Sequence, residues 1–210
     1  MDGTELVRAV RASKATALER LGKEKALIAA TDADLATDAV LRAAAASERR
    51  AQRTFEQWAE SEPNEAARDA FGRIAATEAD HYERVVAHLD ESPADPGPDP
   101  LHASLRGTER TVERVGAGLV GRPLASERTL LQVVNFFVNE ADNAAADLFR
   151  DLREETREVP ETGAALLDDL CADEDDWVLA RKAAEDAIQV AYDDYAETLQ
   201  GMGLDPKPVC

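Results

Sequence analysis

The chain has 210 residues, enough to bury one hydrophobic core, and its 43 acidic and 24 basic residues give a formal net charge of −19. This charge argues against nonspecific binding to nucleic acid or to an anionic membrane surface. The basic residues comprise 19 Arg and only 5 Lys, which is typical of the salt-rich cytoplasm of a halophile, although an ordinary acidic, soluble protein is the alternative.

Apolar residues recur at helical spacing along most of the chain, and strand-like runs are few. The sequence therefore predicts a single all-α domain over residues 1–210. The predicted helices cover residues 4–30, 37–60, 63–89, 101–119, 124–153 and 161–200. The predicted organisation is an N-terminal helix and turn (1–36), a helical hairpin (37–90), a proline-rich crossover with a short helix (91–123), a second hairpin (124–201) and a tail (202–210).

Targeting and cysteine patterns limit the location of the protein and its chemistry. The chain shows no targeting segment and no apolar run of about 18 residues, which predicts a cytoplasmic protein without a membrane partner. Cys171 and Cys210 form no C-x-x-C pair, which argues against a cysteine-based zinc or iron–sulfur module built by this chain alone. Cys171 is expected to be a small buried side chain, and Cys210 an exposed terminal thiol.

Four predicted helices each carry one glutamate within an apolar stripe: Glu48, Glu78, Glu140 and Glu174. The spacing from the first to the second is nearly repeated from the third to the fourth. Glu78 also begins an E-x-x-H triplet that ends at His81, and residues at i and i+3 share one helical face. Because buried carboxylates need a compensating partner, these residues predict a metal centre inside a helical bundle.

The two hairpins, the crossover and this ligand spacing resemble the ferritin-like superfamily over residues 37–200, and most closely the small haloarchaeal members of the rubrerythrin family. The resemblance implies a ferritin-like four-helix bundle with an added N-terminal helix and a short crossover helix. Glu48 and His81 would then be terminal ligands of the first ion, and Glu140 would be a terminal ligand of the second ion. Glu78 and Glu174 would bridge the two ions. It further implies iron or manganese as the cofactor, up to two ions per chain.

The same resemblance implies an oxidoreductase that acts on peroxide, dioxygen or Fe(II), with an unknown electron donor and a homodimeric assembly. Trp177 stands where the second triplet would have its histidine, so the second ion is expected to bind more weakly. The chain also has no rubredoxin-like domain with two cysteine pairs. The alternative is a metal-free or single-metal helical protein with a structural or interaction role, in which Arg181 neutralises the carboxylates.

Overall fold

The computed structural model describes residues 1–207, and within this range the chain folds into helices and connecting turns without β-strands. The predicted all-α class is therefore confirmed. In chain order the helices are α1 (Gly3–Ser13), α2 (Ala15–Leu21), α3 (Lys25–Ala30), α4 (Thr37–Ser61), α5 (Glu65–Val86), α6 (Pro100–Arg106), α7 (Thr111–Val115), a π-helix (Gly116–Gly121), α8 (Arg122–Asn139), α9 (Asn143–Leu170) and α10 (Glu174–Gly201).

The first hairpin is formed by α4 and α5, which pack along one another as the sequence predicts. Three residues connect the two helices, and the side chain of Asn64 caps α5 by accepting a hydrogen bond from the amide of Ala67. Asparagine is a favoured capping residue because its side-chain oxygen satisfies an amide that has no partner within the helix. The short connection fixes α4 and α5 as antiparallel neighbours.

The second hairpin is formed by α8 and α9, so the predicted pairing of helices 124–153 and 161–200 is wrong. The chain turns between α8 and α9 at Ala141, which has a left-handed φ of 58°, and the side chain of Asp142 then caps α9. Pro160, which the prediction placed outside a helix, lies within α9. The helix α10 lies outside the hairpin and packs against α6, α7 and the π-helix.

The N-terminal segment and the crossover are also more divided than predicted. The predicted helix 4–30 consists of three short helices interrupted near Lys14 and Gly22. The predicted helix 101–119 consists of α6, α7 and part of the π-helix. Within the π-helix, a Cβ atom on Gly116 would lie 2.1 Å from a carbonyl oxygen of α10, which explains the need for glycine at this close contact.

Two hydrophobic clusters form the main core of the bundle. One contains Phe55 of α4 and Trp58, and the other contains Val40 of α4 and Phe149 of α9. Each of the helices α4, α5, α8 and α9 contributes residues to both clusters. The buried residue Glu48 lies between the two sets of apolar residues on α4, so a polar layer interrupts the core at mid-height of the bundle.

Two further findings concern the termini and the surface. Among residues 1–207, no helix combines the length and the apolar character needed to cross a membrane. Cys171 is half-buried, and no disulfide involves it, while Cys210 lies outside the described residues.

Candidate metal centre

Three of the predicted ligand residues meet in the polar layer between the hydrophobic clusters. Glu48 is supplied by α4, and Glu78 and His81 are supplied by successive turns of α5. Their exposed fractions are 6%, 3% and 1%, respectively. The apolar stripes of α4 and α5 direct these polar side chains inward, because their positions fall on the same helical faces as the core residues.

The geometry of the three side chains is compatible with one metal ion. One potential ligand atom from each residue lies within 4.8 Å of those of the other two. The Nδ1 atom of His81 lies 3.6 Å from Oε2 of Glu48, and it is buried without a hydrogen-bond partner. Two ligands held about 2.1 Å from one ion are at most about 4.2 Å apart, so a small contraction of the side chains would complete the coordination.

A fourth residue, Glu155 of α9, holds the other side of the imidazole ring. Its Oε2 atom lies 3.0 Å from Nε2 of His81, and its Oε1 atom accepts a hydrogen bond of 2.8 Å from Arg84. A carboxylate that accepts the Nε2 proton fixes the orientation of the ring and leaves Nδ1 as the coordinating atom. The arrangement matches the carboxylate–histidine–metal triad common at protein metal sites.

A buried guanidinium, that of Arg122, is the cationic partner of this cluster. Its Nη2 atom donates a hydrogen bond to Oε1 of Glu78, and its side chain is 3% exposed. The guanidinium carbon also lies 5.3 Å from the centre of the Phe55 ring, which favours a cation over the aromatic face. Arg122 directly follows the π-helix, which ends at Gly121, and its side chain lies in the polar layer.

The charges in the cluster shift the pKa values of its members. Burial raises the pKa of Glu78 to about 8, with Arg122 opposing the shift and the charge of Glu48 adding to it. Burial opposes the charged form of His81, but its close contact with Glu48 and the charges of the neighbouring carboxylates raise its pKa to about 9. Burial opposes the charged form of Glu48, but its contacts with His81 and Glu78, and then the charge of Arg122, lower its pKa. Near neutral pH, the metal-free cluster therefore holds protons that a bound cation would replace.

The other two predicted ligands lie elsewhere. Glu140 is the exposed residue that follows α8, and Glu174 is the exposed first residue of α10. The prediction that they occupy an apolar stripe in the core is wrong, because both lie at helix ends rather than in mid-helix. Within α10, Glu174 lies in an acidic first turn, where a carboxylate is stabilised by the helix dipole.

The structure also shows the contacts of Trp177 and Arg181 on α10. Trp177 is half-buried and packs against the hydrophobic cluster around Phe55, so it fills the core rather than replacing a ligand. Arg181, the predicted neutralising cation, donates to Glu185 one turn along its own helix at 2.8 Å. The neutralising role belongs to Arg122.

Sequence reasoning missed both Arg122 and Glu155. Arg122 stands between a glycine and a proline, and this context indicated a break rather than a buried position. Glu155 lies five residues before Pro160, and the prediction ended the helix before both. The apolar period through Leu148, Leu152 and Val159 continues across this stretch and was the available signal for a longer helix.

Comparisons with known proteins add no further constraint on the site. No family model matches the chain, and searches of curated proteins and of solved structures gave no significant match. The ferritin-like resemblance stays a prediction based on ligand spacing. The functional argument therefore depends on the geometry of the site itself.

Proposed function

We propose that this protein binds one divalent transition-metal ion through Glu48, Glu78 and His81, and that it acts with iron as an oxidoreductase on peroxide or dioxygen. The observation that carries the proposal is the unpartnered Nδ1 atom of His81, which faces Glu48 while Glu155 holds the opposite ring nitrogen. Imidazole and carboxylate ligands suit Fe(II) and Mn(II) as well as Zn(II), and iron would supply the one-electron chemistry that the oxidoreductase requires.

A single ion fits the charges of the cluster better than two. Glu48 and Glu78 together carry two negative charges when ionised, and Arg122 already supplies one positive charge beside them. A second divalent ion would lack the ligands Glu140 and Glu174, which are exposed at helix ends. The guanidinium of Arg122 therefore supplies positive charge next to the carboxylates, as the second metal ion does in a dinuclear carboxylate centre.

The protein side chains have separable tasks in this proposal. Glu48 and Glu78 supply negative charge, and His81 supplies a neutral nitrogen ligand after losing a proton. Glu155 orients the ring from outside, and Arg122 limits the net charge of the ligand set. Glu48 also lines a cavity of about 380 Å³, so a small oxidant held in this cavity would lie next to one of the metal ligands.

Metal binding by the full-length protein tests the proposal directly. Equilibrium dialysis against anaerobic Fe(II) or Co(II), at a fixed molar KCl concentration, should give one tightly bound ion per chain. His81→Gln and Glu48→Gln should weaken binding by more than the about tenfold to hundredfold that loss of an outer hydrogen-bond partner costs. His88→Gln is the matched control, because His88 is exposed at the end of α5. Two equal tight sites, or none, would contradict the proposal.

Oxidation of the bound Fe(II) tests the second half of the proposal. Peroxide added to the iron-loaded protein should oxidise about one Fe(II) per chain faster than it oxidises the same concentration of free Fe(II). His81→Gln should lose this acceleration, whereas His88→Gln should keep it. Tight metal binding without faster oxidation of Fe(II) would refute the proposed oxidoreductase activity and support metal binding alone.

A metal-free structural role is the second candidate, and the buried contact between Arg122 and Glu78 favours it. In this arrangement, Glu78 holds a proton, and Arg122 and protonated His81 balance the charges of Glu48 and Glu155, so the cluster needs no ion. A buried ion pair of this kind can fix the packing of helices. This candidate predicts that saturating Fe(II), Mn(II) or Co(II) leaves the melting temperature unchanged. A bound ion at a hundredfold excess over Kd would instead add about 2.7 kcal/mol to the unfolding free energy.

A further inference from the structure

A cavity of about 380 Å³ opens between α3, α4, α8 and α10. Most of its wall is aliphatic, including Leu27, Val40, Ala44, Leu130 and Val133. Its volume falls within the range of small-molecule pockets, in which apolar walls are combined with a few polar groups. The cavity therefore has the size and lining to hold the aliphatic part of a small organic molecule.

Three polar residues of this cavity are in contact with one another. Nε of Arg50 lies 3.1 Å from Oδ2 of Asp99, and Nδ1 of His102 lies 2.8 Å from the same oxygen. Arg50 and His102 therefore both contact Asp99, while Nε2 of His102 is buried without a hydrogen-bond partner. Burial lowers the pKa of His102 despite its contact with Asp99, so His102 contributes no positive charge at neutral pH.

Asp194 is an exposed acidic residue at the edge of this lining. Among residues 1–207 it has neither a hydrogen bond nor an ion pair, although Arg50 and Asp99 line the same cavity. Partial burial, and then the charge of Asp99, raise the pKa of Asp194. Both effects disfavour an isolated carboxylate, and a cation placed beside Asp194 would relieve both.

The net charge of the lining is negative as a whole. Glu48, Asp99 and Asp194 are opposed by Arg50 alone, which leaves a formal excess of two negative charges. An anionic ligand would be repelled by this lining, and a neutral ligand would gain nothing from the charge of Asp194. A ligand that carries a positive charge and an aliphatic body complements both the charge and the walls.

We propose that this cavity binds a small organic ammonium ion, with the ammonium group beside Asp194 and the aliphatic body against Leu130 and Val133. The site does not require the metal proposed above, because its charged and apolar groups are present in the metal-free protein. Since Glu48 also lines the cavity, the bound body lies next to one ligand of the metal centre.

Ligand titration of the metal-free, full-length protein tests this inference. The probes are hexylammonium, 1-hexanol and hexanoate, which have similar chains and differ in charge, and binding is followed by NMR chemical-shift changes at pH 7. Hexylammonium should bind about threefold to fivefold more tightly than hexanol, the range expected for one partly exposed ion pair. Hexanoate should bind more weakly than both. Equal affinities of the amine and the alcohol, or no binding of the amine, would overturn the inference.

Two substitutions at neighbouring positions identify the group responsible. Asp194→Asn should reduce the affinity for hexylammonium to that for hexanol. Asp193→Asn removes one negative charge at the adjacent position and serves as the control. Asp193 accepts a hydrogen bond from Gln189 and does not line the cavity, so this variant should keep the wild-type affinity for hexylammonium. An equal loss in both variants would reduce the effect to general surface charge and refute the site.

A substitution within the apolar wall provides an independent test. Ala43→Leu adds volume at a half-buried position that lines the cavity, and it should weaken hexylammonium and hexanol alike. Unchanged affinity for both would place the ligands outside the cavity. Co(II) binding is measured on the same samples, so a failure of ammonium binding and a failure of the metal site give separate readouts.

Discussion

Metal binding to this site should release close to two protons near neutral pH. His81, with its pKa near 9, and Glu78, with its pKa near 8, both hold protons in the metal-free protein at pH 7. A metal ion needs the neutral imidazole and the ionised carboxylate, so it competes with both protons. The apparent affinity should therefore rise about a hundredfold per pH unit below pH 8 and about tenfold per unit between pH 8 and 9.

The size of this effect follows from the two pKa values. At pH 7, the two groups are one and two units below their pKa values, which sums to about three units of proton competition. At about 1.36 kcal/mol per unit, the affinity at pH 7 is about 4 kcal/mol, or roughly a thousandfold, below its value in alkaline solution. A pH series from 6 to 8 covers the steepest part of this dependence.

Calorimetry provides the assay for the proton count. Co(II) is titrated anaerobically in two buffers of different ionisation enthalpy, and the difference between the observed heats gives the number of protons released. Glu78→Gln should release about one proton fewer, and His88→Gln should match the wild type. An affinity that changes less than tenfold between pH 6 and 8, or a release of less than one proton, would refute the assigned protonation states.

The same protons should make the metal-free protein less stable as the pH rises. The folded state binds more protons than the unfolded state wherever a pKa is raised by folding, so its unfolding free energy falls with pH in that range. The range is about 4.5 to 8 for Glu78 and about 6.5 to 9 for His81, starting from their ordinary values. Urea unfolding of metal-free protein at pH 6.5, 7.5 and 8.5 should show a steady decline, and a rise would contradict it.

Four variants test other features of the structure. Arg122→Met should lower the unfolding free energy of the metal-free protein by about 1–3 kcal/mol in urea unfolding, because it removes the hydrogen-bond donor of the buried Glu78 carboxyl, and metal should restore part of the loss. Replacing Glu140 and Glu174 together by Gln should leave the affinity for Co(II) within about twofold of wild type. A larger loss of affinity would show that these residues contribute to metal binding. Gly116→Ala should destabilise the protein, because the added Cβ atom would clash with the backbone of α10. Gly72→Ala should stabilise α5 by about 0.5–1 kcal/mol, because its added Cβ atom would meet no atom within 4 Å. Thermal melts measure both effects.

The sequence by itself determined the helical class, the first hairpin and three residues of the candidate site. Apolar residues at helical spacing predict α4 and α5, and the short connection between them forces an antiparallel pair. Glu48, Glu78 and His81 lie on the apolar faces of these helices, so their burial follows from local periodicity alone. Local patterns were sufficient here because both helices are long, regular and adjacent in sequence.

Only the tertiary structure decided which other residues complete the cluster. A left-handed turn at Ala141 and a helix that continues across Pro160 change the boundaries of the later helices. Glu140 and Glu174 consequently lie at exposed helix ends, while Glu155 of α9 approaches His81. Arg122 approaches Glu78 from 44 residues away in sequence, after the π-helix has packed against α10. Such contacts depend on how helices pack across the bundle, and helical periodicity carries no information about packing between distant segments.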